Sequence, residues 1–272
     1  MRSKGWLGAL PLLGFVAVIF GLPAVALLTG AFTAEGRPSL ANMQQSLRGG
    51  YLTSMLGSIQ LSAVVAVLGA IFGTFLAYAV VTSRSTALRE SVLTASGVLA
   101  NFGGVPLAFA WVATLGNTGL ISELLGLSTG ALYTFWGLTT VYLYFSIPLM
   151  VLVMAPALDG LRPQWREAAS NNGATTWQYW RYVGIPVLTP ALLGGVVLLF
   201  GMCFAAFATA AAMGAGTVLP LITLKIANAL TGDVLIGYEN VALALSLNMI
   251  VIAGLVMAIY LPLQKRSSRW LQ

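Results

Sequence analysis

The sequence Arg166-Glu167-Ala168-Ala169-Ser170-Asn171-Asn172-Gly173, followed after nine further residues by Val183-Gly184-Ile185-Pro186, decides how the rest of the chain is organised. These residues lie in the long polar interruption, 157–186, of a chain that is otherwise strongly apolar. Pro163 suits the first position of a short helix, where its missing N–H costs no hydrogen bond. Gly173 suits the end of that helix, because glycine adopts the left-handed conformation without a side-chain penalty.

A second short helix is predicted just after that glycine, over residues 177–183. The hydroxyl oxygen of Thr175 or of Thr176 can accept a hydrogen bond from its first turn and so cap it. Pro186 then marks the point at which the polar segment turns into the next apolar run. The segment therefore predicts two short helices, joined by a glycine turn, at the surface of a membrane.

The composition indicates an integral membrane protein. Hydrophobic residues make up 58% of the 272 positions and charged residues only 7%, whereas roughly a quarter of the residues are charged in soluble domains. A soluble fold could not cover its surface with so few charges. The chain has no histidine and one cysteine, Cys203, so it has no internal disulfide and no basis for a His/Cys metal site. The net charge of +6 does not indicate nucleic acid binding, because the cations flank apolar runs.

Six apolar runs are long enough to cross a bilayer, which takes about 20 helical residues. They predict an all-α, polytopic protein with a single transmembrane domain over residues 1–272. The runs lie near residues 7–31, 55–82, 91–115, 131–156, 187–212 and 241–263. The first run follows Arg2 and Lys4 as in a signal peptide, but it is too long for a cleavable one and is expected to stay as an anchor.

The distribution of lysine and arginine predicts the orientation, since these residues are enriched in cytoplasmic segments. With the N-terminus inside, the inner segments hold ten of them and the outer segments only Arg37, Arg48 and Lys225. Both termini are therefore expected in the cytoplasm. The same topology puts the 157–186 segment on the cytoplasmic side.

The spacing in this segment resembles the EAA loop of the permease subunits of bacterial type I ABC importers. That loop has Glu-Ala-Ala, then three residues of any type, then Gly. After nine further residues it has a hydrophobic residue, one residue of any type, a second hydrophobic residue and Pro. The matching residues are Glu167, Ala168, Ala169, Gly173, Val183, Ile185 and Pro186. The family more often has Ile and Leu where Val183 and Ile185 stand, which is a conservative departure.

The resemblance implies that the first short helix is a coupling helix, which docks on a cytoplasmic ATPase and transmits its motion. The two alanines would leave a flat face for close packing, and Glu167 would offer a charge to a basic partner. The residues expected to couple to the ATPase are Arg166, Glu167, Ala168, Ala169, Gly173 and Pro186. The alternative is an ordinary cytosolic loop with a chance Glu-Ala-Ala.

The resemblance also implies the partners and the location. These are a cytoplasmic ABC ATPase dimer, a second permease subunit of the same or a different kind, and an extracytoplasmic substrate-binding protein, at the bacterial inner membrane. The chain has no phosphate-binding loop of the Gly-x-x-x-x-Gly-Lys-Ser/Thr type. We therefore expect no cofactor on this chain, with ATP and Mg²⁺ bound by the partner ATPase.

The third apolar run is interrupted by polar and helix-breaking residues from Asn101 to Pro106. Because proline frees a backbone carbonyl, that carbonyl needs a partner in the protein or in a wet cavity. Broken helices at mid-membrane often line substrate paths. Asn101 and Pro106 are therefore candidates for the pathway wall, and a kink filled by a neighbouring helix is an equal alternative.

Other polar residues of the spans are candidates for the same pathway. Tyr142 and Ser146 are four residues apart and share a helix face; a place in the interfacial belt is the alternative for the tyrosine. Thr209 and Asn248 are expected to face the same cavity. By contrast, Gly69 and Gly73 in the second run are interpreted as small residues for helix packing.

The second half of the chain resembles one branch of these permeases, which serves polyamines, phosphonates, ferric iron and some inorganic oxyanions. That resemblance rests on Phe207-Ala208-Thr209-Ala210, Gly214, Leu219-Pro220-Leu221, Gly232-Asp233 and 242–247. It implies a small polar solute such as a polyamine or a phosphonate as the substrate.

Three other functions fit the sequence less well. An ion-coupled secondary transporter usually needs ionisable residues inside the membrane, and the six runs contain no Asp, Glu, Lys or Arg. A membrane enzyme needs a catalytic set, and we identify no catalytic residue. An assembly scaffold would not need a broken third span. The sequence therefore favours an ABC importer permease, with the secondary transporter as the alternative.

Overall fold

A computed structural model of the protein describes residues 10–34, 36–126, 130–215, 219–231 and 238–268. Part of the predicted first run, residues 7–9, lies outside the described residues. So do the basic residues Arg2, Lys4 and Arg269, on which the orientation partly depends, and Gly232-Asp233 of the branch resemblance.

Almost all of the described chain is helical. The helices are α1 (Leu10–Ala31), α2 (Ala41–Ser46), α3 (Gly49–Val81), α4 (Thr86–Asn101), α5 (Gly104–Leu115), α6 (Leu120–Leu125), α7 (Phe135–Asp159), α8 (Pro163–Asn171), α9 (Thr176–Tyr179), α10 (Ile185–Ala205), α11 (Ala208–Ala212), α12 (Ile222–Thr231) and α13 (Tyr238–Ser268). A π-helical turn, Trp180–Gly184, joins α9 to α10, and a 3-10 turn, Ala131–Tyr133, precedes α7. Two-residue strands, β1 (Thr33–Ala34) and β2 (Arg37–Pro38), pair antiparallel between α1 and α2.

Six segments of the described chain are long and apolar enough to cross a membrane. They are Leu10–Ala31, Gly49–Val81, Gly104–Leu124, Phe135–Asp159, Thr176–Ala205 and Asn240–Gln264. The prediction of an all-α, polytopic membrane protein with six transmembrane helices is therefore confirmed. Helices α3 and α13 begin before their predicted runs, and the third and fifth runs differ more strongly from the structure.

The third predicted run is broken, but not for the predicted reason. Its residues form α4 and α5, with Phe102 and Gly103 between them, and Gly104 has a φ of +75°. Pro106 lies in the first turn of α5, where helical N–H groups have no intrahelical acceptor. The proline therefore removes no hydrogen bond, and the interruption is made by the end of α4 and the left-handed glycine.

The fifth predicted run, 187–212, also differs from the structure. Residues Thr176–Ala205 form one continuous helical rod through α9, the π turn and α10. Pro186 lies within this rod at the start of α10, so the second predicted short helix and the fifth run are parts of one helix. The rod ends at Ala205, and after Ala206 and Phe207 a new helix, α11, begins. The sequence did not predict this second break.

The core of the domain is formed by α3, α7 and α10. The close approach of α3 to α7 depends on the two glycines. A Cβ on Gly73 would lie 2.5 Å from the Cβ of Met150, and a Cβ on Gly69 would lie 3.2 Å from the Cβ of Ser146. In lipid, such close packing, rather than hydrophobicity, drives helix association. The predicted packing role of both glycines is confirmed.

Candidate functional site

The predicted first helix of the polar segment is α8, and its two ends are built as its sequence indicates. Pro163 stands at the start of α8, and Gly173 follows its end with a φ of +76°. The N–H of Gly173 donates to the carbonyl of Ser170 at 2.9 Å, and the N–H of Ala174 donates to the carbonyl of Ala169 at 3.0 Å. These two bonds form a Schellman motif, which satisfies carbonyls that the helix end leaves free.

The predicted second helix begins where Thr175 caps it. The N–H of Gln178 donates to Oγ1 of Thr175 at 3.3 Å, and the N–H of Thr175 donates to Oε1 of Gln178 at 2.7 Å. This reciprocal capping box fixes the start of the rod. Between the two alternatives, Thr175 rather than Thr176 is the cap.

Helix α8 stands away from the rest of the protein, since none of its residues is buried. A cleft of about 700 Å³ separates it from the start of α10, and Ala168, Ala169 and Pro186 are among the residues that line this cleft. Arg166 and Glu167 are exposed and do not line it. Of the residues predicted to couple to an ATPase, the small, apolar ones Ala168, Ala169 and Pro186 therefore line the cleft, the charged pair lies elsewhere on α8, and Gly173 follows its end.

The two helix breaks meet inside the protein. The hydroxyl of Thr209, in α11, lies 3.0 Å from the backbone nitrogen and 3.3 Å from the backbone oxygen of Gly104, at the start of α5. Only 3% of Thr209 is exposed. Its hydroxyl therefore accepts a hydrogen bond from one backbone group and donates one to the other, and it ties the breaks together.

The carbonyl at the second break is also satisfied by side chains from other helices. The hydroxyl of Tyr142, in α7, donates to the Ala206 carbonyl at 3.3 Å, and the hydroxyl of Thr223, in α12, donates to it at 3.4 Å. Ser146, one turn from Tyr142, is fully buried with its Oγ 3.5 Å from Sγ of Cys203. Tyr142, Ser146 and Thr209 thus all face protein atoms around the second break.

The remaining pathway candidates lie elsewhere. The side chains of Asn101 and Pro106, on either side of the first break in the chain, are exposed. The amide of Asn101 donates to the carbonyl of Gly97 in its own helix at 2.9 Å. The amide of Asn248 donates to the hydroxyl of Ser46 at 2.8 Å, and both residues are buried. Asn248 therefore joins α13 to the short helix α2.

Two features near the coupling segment were missed by sequence reasoning. Arg89 at the start of α4 forms an ion pair with Asp159 at the end of α7, just before α8. Trp180, in the π turn, packs against Tyr78 of α3 with ring centroids 5.5 Å apart. Neither pair has a local sequence signal, because each joins residues far apart in the chain.

Comparisons with known proteins give no matching family profile for this chain. Curated relatives do match. The chain is 43% identical to the sulfate transport system permease protein CysT of Escherichia coli K12 over 68 residues, which is 25% of this chain and 24% of that one. It is 30% identical to the thiamine transport system permease protein ThiP of the same organism over 150 residues, 54% of this chain and 26% of that one. The chain thus spans about a quarter of the length of these two relatives.

A longer relative match is with the molybdenum transport system permease protein ModB of Escherichia coli K12. Identity is 29% over 165 residues, 57% of this chain and 68% of that one.

Two solved structures cover nearly the whole chain. One is a bacterial ABC transporter involved in the import of alginate, with a TM-score of 0.76 and 16% identity over 96% of this chain and 94% of that one. The other is a bacterial alginate ABC transporter in complex with a periplasmic protein that carries an alginate pentasaccharide. Its TM-score is 0.74 at 18% identity, over 97% and 96% of the two chains.

The chain therefore has the fold of an ABC importer permease. Its sequence relatives are permease proteins of bacterial transport systems. The predicted resemblance to bacterial ABC importer permeases is confirmed.

Proposed function

We propose that this chain is the permease subunit of an ATP-driven importer, which forms the translocation pathway and couples it to a cytoplasmic ATPase. The observation that carries the proposal is helix α8. It buries none of its residues, yet the turn that follows it is fixed by a Schellman motif at the end of α8 and by a capping box at the start of α9. A helix that is held so firmly and covered so little is suited to dock on another protein.

The docking surface on α8 has the chemistry that such a partner needs. Ala168 and Ala169 leave the cleft toward Pro186 open, so a side chain of the ATPase has room to enter beside α8. Arg166 and Glu167 offer charges of both signs outside the cleft. The energy would come from ATP and Mg²⁺ held by the ATPase, and this chain would act as a pathway rather than as an enzyme.

The substrate follows less directly. The relatives are named for sulfate, thiamine and molybdenum. Sulfate and molybdate are inorganic oxyanions, and some inorganic oxyanions are among the substrates of the permease branch that the second half of the chain resembles. The six apolar runs hold no carboxylate that would repel an anion. We therefore put a small inorganic oxyanion first among the substrates to be tested, while a polyamine or a phosphonate stays a prediction. An extracytoplasmic binding protein would make the choice.

The test is co-expression of this chain with a candidate ATPase and a candidate extracytoplasmic binding protein from the same organism. The complex should hydrolyse ATP faster when the loaded binding protein is added. A Glu167→Lys, Gly173→Val variant should insert normally but lose the ATPase on purification, because valine at a φ of +76° is strongly disfavoured. The matched control is Gly126→Val, at another positive-φ glycine outside the coupling segment. Full stimulated hydrolysis in the double variant would contradict the proposal.

A further inference from the structure

Helix α8 is connected to the membrane core on both sides, through residues 160–162 to the end of α7 and through its following turn to α9. It buries none of its own residues and packs mainly against α9. Helix α9, however, is the first part of the rod Thr176–Ala205, which continues into the core as α10. A displacement of α8 by a partner would therefore reach the membrane core through this rod as well as through α7.

The rod first touches the core at the π turn. The ring of Trp180 packs edge-on against the ring of Tyr78, near the end of α3, with centroids 5.5 Å apart and planes at 79°. Trp180 also packs against the buried cluster formed by α3, α7, α10 and α13. Tyr179 beside it is buried, with its ring centroid 5.8 Å from that of Trp180.

A single position inside the turn leaves room for the tryptophan ring. Gly184 is buried, and a Cβ built on it would lie 2.5 Å from Cε3 and 2.9 Å from Cζ3 of Trp180. Any side chain at this position would push the ring away from its present place. The small size of Gly184 and the position of Trp180 therefore depend on each other.

The π turn itself has an identifiable cause. In an α-helix the nitrogen of Pro186 would face the carbonyl of Tyr182, where proline has no N–H to donate and its ring clashes. The chain widens by one residue instead, and the N–H of Ile185 donates to the carbonyl of Trp180. Single π turns within α-helices are frequent at functional sites.

Trp180 also has space beside it. A cavity of about 330 Å³ lies between α3, α7 and α10, and Tyr78, Leu158, Trp180 and Leu188 are among its lining residues. Most of the core is closely packed, as the glycines of α3 illustrate. A ring that borders an open cavity on one side can shift without displacing backbone, so this contact differs from an ordinary helix crossing.

We propose that Trp180 is a positioning residue, through whose contact with Tyr78 the motion of the coupling helix is passed to α3. The inference rests on the proposed function, because it assumes a partner that moves α8. The π turn and Gly184 hold the ring in place, and the adjoining cavity gives it room to move. Trp180 acts through Tyr78 and touches neither the ATPase nor the substrate.

The experiment uses the full complex of permease, ATPase and binding protein. Trp180→Ala removes the contact, and Trp180→Phe keeps an aromatic ring on Tyr78. Gly184→Ala displaces the ring by filling its space, and Tyr78→Leu removes the contact from the α3 side. Trp136→Ala, at a tryptophan that is 65% exposed at the start of α7, is the matched control. ATPase co-purification, stimulated ATP hydrolysis and transport are measured for each.

We expect Trp180→Ala to keep its ATPase on purification but to lose stimulation by the loaded binding protein about tenfold, within the usual range for coupling between sites. Trp180→Phe should restore most of the stimulation. Gly184→Ala should behave like Trp180→Ala. The double variant Trp180→Ala, Gly184→Ala should lose no more stimulation than either single variant, because the ring that Gly184→Ala displaces is already absent. Trp136→Ala should match the unmodified complex.

Three results would overturn the inference. One is normal stimulation and transport in Trp180→Ala. Another is loss of ATPase binding together with stimulation, which would make Trp180 a support for the fold of the coupling segment. The third is additive losses in the double variant of Trp180 and Gly184. If the unmodified complex shows no ATPase binding or stimulation, the proposed function fails instead. Should Trp180→Ala not insert, Tyr78→Leu and Gly184→Ala test the same contact.

Discussion

The hydroxyl of Thr209 lies between the backbone N–H and the backbone carbonyl of Gly104, at 3.0 and 3.3 Å. The two residues are 105 positions apart in the chain, and each lies in the first turn of a helix that follows a break. In the membrane, backbone groups at a break need partners inside the protein. The threonine supplies one for both polar groups of the glycine, so two interrupted helices complete each other.

Thr209→Val keeps the shape of the side chain and removes its hydroxyl. The N–H of Gly104 then loses its acceptor, and an unsatisfied buried group costs about 1–3 kcal/mol. The unfolding temperature of Thr209→Val in detergent should fall. The unfolding temperature of Thr209→Ser, which keeps the hydroxyl, should stay close to that of the unmodified protein. Thr189→Val is the control, because the Thr189 hydroxyl bonds only to the Ile185 carbonyl of its own helix. Equal stability of Thr209→Val and the unmodified chain would show that the bond does not hold the breaks together.

The hydrogen bond between Asn248 and Ser46 predicts a second stability effect. It joins α13 to α2 at 2.8 Å, with 9% and 0% of the two residues exposed. Ser46→Ala and Asn248→Leu should each destabilise the protein by about 1 kcal/mol, the usual size for polar contacts between membrane helices. In a double-mutant cycle the two losses should be less than additive, since both changes remove the shared bond, while Ser46→Ala also removes the bond from the Ser46 hydroxyl to the Met43 carbonyl at 2.7 Å. Fully additive losses of stability would mean that the two side chains do not stabilise each other, and Asn248 would then remain a candidate for the pathway wall.

The two short helices α8 and α9 and the turn between them could be predicted from sequence because their signals are local. Pro163 at a helix start, Gly173 with positive φ and Thr175 as a cap each act within a few residues. The continuity of the second short helix with α10 was not predicted, since the wider π turn accommodates Pro186 without ending the helix.

The second break could not be predicted, because neither Ala206 nor Phe207 is a helix-breaking residue. The acceptor at Ala206 is satisfied by hydroxyls from Tyr142 and Thr223, on two other helices. The partner of Asn248 also lies on a distant element, the short helix α2. Polarity alone therefore did not distinguish Asn248 from residues that could line a pathway. The face of a membrane span that packs against protein is set by tertiary packing. Neither the hydrophobic period nor the composition of these spans indicates that face.

The orientation of the chain is a separate prediction, which rests on the distribution of lysine and arginine. Single cysteines would replace Ser39, after β2, and Ser268, at the end of α13, in a Cys203→Ala background. An impermeant thiol reagent should label Ser39→Cys from outside intact cells and Ser268→Cys only after the membrane is opened. The parent without cysteine controls for background labelling. Labelling of both positions from the outside would exclude two cytoplasmic termini.

The last prediction concerns the pathway. The side chain of Asn101 is exposed at the end of α4, beside the first break, and its amide bonds only within its own helix. An exposed carboxamide is costly against lipid, so we expect Asn101 to face water or a second subunit across the pathway.

A pathway must also release its substrate, so groups on its wall should bind weakly. Asn101→Leu should therefore slow transport without loss of the ATPase, and Asn101→Trp should block transport by its bulk. Phe20→Trp is the control for bulk, since α1 has no buried residue in its apolar stretch. Cysteine in place of Asn101 should react with a water-soluble thiol reagent in one state of the ATP cycle only. If that cysteine is inaccessible in every state while Asn101→Leu transports normally, the residue packs against protein and the first break is structural.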